Sequence, residues 1–135
     1  MIAADDRAPD LADIEALGRA ALRRIPRRLR ACLRDVVIRV EDFPDDDIVH
    51  DMGIDSPFDL MGLYQGVSLD AKSVSDPVAE PDMIFLYRRP LLDYWCESGE
   101  RLGDLVRHVL IHEIGHHFGF SDDDMAALEA EADEE

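Results

Sequence analysis

Residues His112 to Asp122 read HEIGHHFGFSD, and each fixed position in that stretch has a physical reason for its spacing. On an α-helix, residues four apart lie about 40° from each other around the axis, so His112 and His116 leave one face and can grip one ion. They form the two-histidine half of a zinc site. Glu113 directly follows the first histidine, so its carboxylate leans toward the space beside such an ion without lying in line with both imidazoles. That placement suits a base and not a ligand. Gly119 stands three residues after His116, where helices commonly end in a left-handed residue that glycine adopts without steric cost, so the chain can reverse. Asp122 then falls where a third ligand is needed. The pattern HExxHxxGxxD is met in full, and it is far more specific than HExxH alone.

Working outward, Glu100 to Phe118 predicts one long helix. Leu102, Leu105, Val106, Val109, Leu110, Ile111, Ile114 and Phe118 cover well over half its circumference, which makes it the central buried helix of the domain. His108, one turn before His112, would sit a further turn away from the ion as an added ligand, with Asp122 already completing the set, so it reads as packing or as support for a ligand. His117 projects about 100° away from His116 and reads in the same way. Asp123 and Asp124 could compete with Asp122 for an ion, but the spacing favours Asp122. The segment beyond predicts an acidic helix or tail over 126–135.

Upstream, residues 1–9 read as a loose tail. Asp10 is placed to cap an amphipathic helix that ends near Ile25, and Pro26 opens a second short helix with Leu29, Cys32 and Leu33 on its inner side. Arg19, Arg23, Arg24, Arg27, Arg28, Arg30 and Arg34 cluster across both. This cluster (residues 19–34) offers a dock for an acidic partner or, more simply, a solvated face balancing an acidic chain. Asp35 to Glu41 predicts a strand, with Val36, Ile38 and Val40 on one face and Val37 and Arg39 on the other. Asp42 to Leu60 is acidic, holds Pro44 and Pro57 and shows no sustained period, so it reads as a long loop. Its Asp45, Asp46, Asp47, His50 and Asp51 fail the calcium-loop spacing. Met61 to Leu69 predicts a short strand interrupted by glycines, and a second acidic loop follows. Met83 to Arg89 predicts another strand, after which Pro90 starts a helical turn with Leu91, Tyr94 and Trp95 facing inward.

The 135 residues are enough for one domain with a real core, so the expectation is a single domain over 1–135. A formal charge of −17 disfavours nucleic acid and anionic membrane as partners, and it favours cationic segments. No run has the length of a signal peptide or a bilayer span, so the expected location is cytoplasmic. Cys32 and Cys96 are the only cysteines, lack ligand spacing, and read as buried thiols.

The motif resembles that of the zincin metallopeptidases, in particular the Asp-zincin variant. The ordered segments PRRLRACLRDVVIRVEDFP, GLYQGVSL, PDMIFLYRRPLLDYW and LVRHVLIHEIGHHFGFSDDDM are similar to a small bacterial family of minimal zincin-like metallopeptidases, over roughly residues 26–125. The resemblance implies an α+β fold with a small mixed β-sheet packed on the motif helix. It also implies one Zn²⁺ per chain held by His112, His116 and Asp122, with Glu113 as catalytic acid and base, and a peptide or flexible protein segment as substrate. Zincins often add a second electrophile. Tyr64 and Tyr87 are the candidates, and Tyr64 is preferred because the glycines of GLYQG would allow close approach to a ligand; the plainer reading is a strand tyrosine packed at the rim. An extended peptide could add to a sheet edge supplied by Gly62–Val67 or Met83–Tyr87. The alternative function is a non-catalytic zinc-binding interaction module with a structural or vestigial metal. Glu113 speaks for the enzyme, since a purely structural site has no need of a carboxylate there.

Overall fold

The computed structural model describes residues 7–66 and 81–134, with side chains to residue 131. Among the described residues the chain forms six α-helices and a small mixed sheet: α1 (Leu11–Leu22), α2 (Arg27–Arg30), β1 (Val36–Glu41), α3 (Asp46–Met52), β2 (Gly62–Gln65), β3 (Asp82–Tyr87), α4 (Arg88–Ser98), α5 (Leu102–His117) and α6 (Asp122–Glu134). The α+β architecture expected from the sequence is the one observed.

The sheet has the order β1-β3-β2, with β1 parallel and β2 antiparallel to β3. Ile84 and Leu86 of β3 are fully buried, and Ile38 of β1 points with them to the helical side. Helix α5 lies across this face, with Leu105, Val106, Val109, Leu110, Ile111 and Ile114 in the core. β2 comes close to α5 because Gly62 has no side chain: a Cβ there would stand 2.7 Å from Val109 Cγ1. Helix α1 packs on α5 and β1 through Ile14, Leu17 and Ala21, and its start follows from a reciprocal capping box between Asp10 and Asp13.

Several expectations are corrected. The stretch 42–60 is not a long loop: it folds into α3 and a 3₁₀ turn, Pro57–Asp59. Asp45 caps α3 by accepting the Ile48 N–H at 2.9 Å, and Asp46 and Asp47 sit in its first turn, where the helix dipole favours carboxylates. α4 starts at Arg88, ahead of Pro90, which occupies the first turn where no donor is needed. Leu91 and Trp95 face inward as expected, but Tyr94 is 44% exposed because four-residue spacing leaves it off their stripe. Phe118 lies beyond the last turn of α5 and is 38% exposed. Cys96 is exposed on the outer side of α4 and Cys32 is only half-buried, so neither is the buried thiol expected. β3 is paired on both sides and cannot offer a sheet edge, which leaves β2 of the two segments considered.

Of the expected tail, Arg7–Pro9 is described and Pro9 is docked, its carbonyl accepting from Arg88 Nε at 2.6 Å. Residues 1–6, the end of the strand expected over 61–69, most of the second acidic loop and Glu135 lie outside the described residues. No helix among the described residues is long and apolar enough to cross a membrane.

Candidate metal centre

The site is made by two helices that meet through a backbone device. Gly119 takes the left-handed conformation (φ 81°) just past α5, its N–H donating to the His116 carbonyl while the Phe120 N–H donates to the Gly115 carbonyl. This pair of bonds is the Schellman arrangement. The chain reverses, and Ser121 and Asp124 cap α6 reciprocally: the Asp124 N–H reaches Ser121 Oγ at 3.1 Å, and the Ser121 N–H reaches Asp124 Oδ2 at 3.2 Å. Helix α6 then lies back along α5, anchored by Met125 and Leu128, both fully buried. The fit is tight at Gly115, where a Cβ would stand 2.5 Å from Met125 Sδ.

This return places two carboxylates beside three histidines. His108, His112 and His116 occupy successive turns of α5, with ring centroids 4.2 Å apart for the first pair and 5.8 Å for the second. Asp122, at the start of α6, has Oδ1 3.6 Å from His116 Nε2, and its side chain is 90% exposed. Glu129, two turns further on, has Oε1 3.4 Å from His112 Nε2 and 2.5 Å from His108 Nδ1. His108, His112 and Glu129 offer ligand atoms all within 4.8 Å of one another, and this is the three-residue group the described residues gather. His112 thus neighbours Glu129 directly, while the motif carboxylate Asp122 pairs with His116. Asp124 is committed to its cap, which holds its carboxyl below the ordinary range through the Ser121 backbone and hydroxyl donors.

Glu113 turns to the partly buried side of α5. Burial pushes its carboxyl above the usual range, against a smaller opposing pull from His116. Burial, with His108 next, holds His112 below the ordinary imidazole value, which favours the neutral form a metal requires. Tyr64 is buried on β2, with its hydroxyl donating to Asp82 Oδ2 at 2.6 Å and its ring stacked 4.1 Å from that of His117. Burial and the Asp82 carboxylate both raise its pKa. The second glycine of GLYQG serves this packing: a Cβ on Gly66 would stand 2.6 Å from the His117 ring. Tyr87 is fully buried at the end of β3, and its hydroxyl has no hydrogen-bond partner among the described residues.

The donor set fits a zinc ion. Imidazole and carboxylate are its usual nitrogen and oxygen ligands, and bonds of about 2.0–2.1 Å in a tetrahedron separate ligand atoms by roughly 3.3 Å. Each pair meets near that edge, His112–Glu129 at 3.4 Å and His116–Asp122 at 3.6 Å, but among the described residues it is His108, His112 and Glu129 that bring three donors within 4.8 Å of one another, and His112, His116 and Asp122 do not. Glu129 Oε1 is also a buried acceptor with no hydrogen bond among the described residues, although His108 Nδ1 stands 2.5 Å away.

Glu129 escaped the sequence reading. Its signal lies in the spacing Asp122, Met125, Glu129, which puts all three on one face of a helix, but only the packing of α6 on α5 gives that face a destination. A helix bearing HExxH, ended by a left-handed glycine and covered by a returning acidic helix, defines a zincin-type domain. Residues 33–132 match the family model described as zincin-like metallopeptidase, and the chain belongs to that family. A search of curated proteins found no match.

Proposed function

We propose that the protein is a zinc-dependent metallopeptidase that hydrolyses a peptide or a flexible protein segment. The observation that carries the reading is Glu113: a carboxylate inside HExxH, partly buried with its pKa raised, one residue from a histidine with carboxylate neighbours. In this reading His112, His116 and Asp122 hold the ion, one per chain. Zinc, when bound, supplies Lewis acidity at neutral pH. Glu113 takes a proton from the attacking water and delivers it to the leaving amine, a task that its place next to His112 on α5 suits. β2 stands at the end of the sheet order among the described residues, where an extended peptide can add to it, and the charge of −17 draws cationic segments toward it. The same charge repels nucleic acid and anionic membrane, and the expected setting is the cytoplasm.

Tyr64 remains the candidate second electrophile, with the condition that it exchange its bond to Asp82 for one to substrate. In Tyr64→Phe, a fall in kcat at unchanged zinc content would support that role, and unchanged kcat would leave it a packing residue. The arginine cluster keeps its proposed acidic partner, although Arg19 already pairs with Glu15 at 2.8 Å.

One observation favours the second reading, a non-catalytic zinc-binding interaction module. The three donors that the described residues bring within 4.8 Å of one another, His108, His112 and Glu129, leave out Glu113, His116 and Asp122, and none of the motif residues lines the cleft beside them. The two readings part in one experiment: zinc-loaded wild type and Glu113→Gln are incubated with a library of unstructured peptides and the products are read by mass spectrometry. Cleavage by wild type and none by the variant, at equal zinc content, supports the peptidase. No cleavage by fully loaded wild type would leave the module.

A further inference from the structure

His108 and Glu129 lie outside the HExxHxxGxxD pattern, yet they are the groups nearest His112 across the helix pair. Two imidazoles approach one carboxylate oxygen from successive turns of α5, at 2.5 and 3.4 Å. That oxygen is buried, with no hydrogen bond among the described residues. A simple ion pair between His108 and Glu129 would leave His112 as a bystander, whereas its Nε2 stands close to the ligand–ligand edge of a tetrahedral zinc site, roughly 3.3 Å. A cleft of about 240 Å³ opens beside the cluster, lined by Glu100, Asp104, Arg107, His108 and Glu129. Arg107 pairs with Asp104 at 3.8 Å, which leaves Glu100 and Glu129 as the carboxylates that draw a cation in, and the space admits water to complete a coordination shell.

We propose that His108, His112 and Glu129 form a second ligand set for a divalent ion of the zinc type, sharing His112 with the motif set. The site stands on its own geometry. Only the sharing rests on the ligands proposed above, and it makes the two sets alternatives for one ion. An ion held by His108 and Glu129 lies a helical turn from His116, so this set works as a holding position that competes with the catalytic one. Position 129 then controls how much of the bound metal serves Glu113.

Cobalt(II) reports the two positions separately, through its visible absorption and through stoichiometry at equilibrium. Four proteins are compared: wild type, His116→Ala/Asp122→Asn, His108→Gln/Glu129→Gln, and the quadruple variant, with circular dichroism confirming the fold of each. The side chains of His108, His116 and Asp122 are at least half exposed and Glu129→Gln preserves shape, so the core is left intact. We expect one ion in wild type, one in His116→Ala/Asp122→Asn with an altered spectrum, and an affinity at least tenfold weaker when Glu129→Gln and His108→Gln are added. No ion in His116→Ala/Asp122→Asn, or an ion there indifferent to the added substitutions, overturns the second set. Two ions bound at once in wild type overturn the sharing. The fate of the motif set is read from His108→Gln/Glu129→Gln alone: an ion retained there supports the ligands proposed for the peptidase, and its loss counts against them whatever the other variants show.

Discussion

Tyr87 carries a cost that its neighbours explain. Its ring completes the core at the end of β3, but its hydroxyl is buried with no partner among the described residues. Burial, together with the carboxylates of Glu41, Asp45 and Glu113, pushes its pKa up to about 12. Removing an unsatisfied hydroxyl while keeping the ring should be neutral or favourable, so Tyr87→Phe is expected to raise stability by about 1 kcal/mol at pH 7 in urea denaturation. The pH dependence has a definite sign. A phenol whose folded pKa lies above its unfolded value of about 10 adds stability below pH 10, and this is lost as pH rises toward 12. The variant's advantage over wild type should therefore widen between pH 10 and 12. A constant or shrinking gap would mean that the hydroxyl is solvated or bonded. Glu113 shows the same physics used differently: burial raises its carboxyl too, but with His116 beside it.

The relation between α5 and α6 rests on two glycines with different reasons. Gly119 is required by its backbone: its φ is 81° and nothing stands within 4 Å of a Cβ built there. Gly119→Ala should cost about 1–2 kcal/mol from left-handed strain alone. Gly115 is required by space, since a methyl group would meet Met125 Sδ at 2.5 Å. Gly115→Ala should cost about 1–3 kcal/mol, and it should also weaken zinc binding, because relief comes by moving the helix that carries Asp122 and Glu129. Chelator competition checks the second effect; unchanged zinc affinity in Gly115→Ala would show that α6 does not position the ligands. The same elements show what could be read in advance. The motif helix, its glycine stop and the alternating faces of β1 are local patterns, and they stand in the structure as the sequence implied. Helix α3 was hidden because three successive aspartates look like a solvated loop until Asp45 is seen to cap it and its two neighbours to meet the helix dipole. Glu129 was hidden for another reason: its face on α6 gains meaning only from a tertiary contact at Met125, which no periodicity encodes.

At the scale of the molecule, the three-stranded sheet and the helices packed on it form a core that reaches the metal centre from one side only. Helix α6 closes the other side through Met125 and Leu128, so an ion bridging α5 and α6 should tie the last helix to the rest. Zinc at a hundredfold excess over its Kd should stabilise the fold by about 2.7 kcal/mol, on the order of 10 °C in Tm, and EDTA should reverse this. A Tm indifferent to both would mean that no ion joins the two helices. His112 is the residue on which every reading converges, since it belongs to the HExxH pair and also to the cluster with His108 and Glu129. The most direct measurement is therefore zinc per chain by elemental analysis, on wild type and His112→Ala purified without chelator or histidine tag. One zinc is expected in wild type and none in the variant. Wild type that takes up no zinc when it is supplied, or His112→Ala that keeps it, would show that His112 holds no ion between α5 and α6.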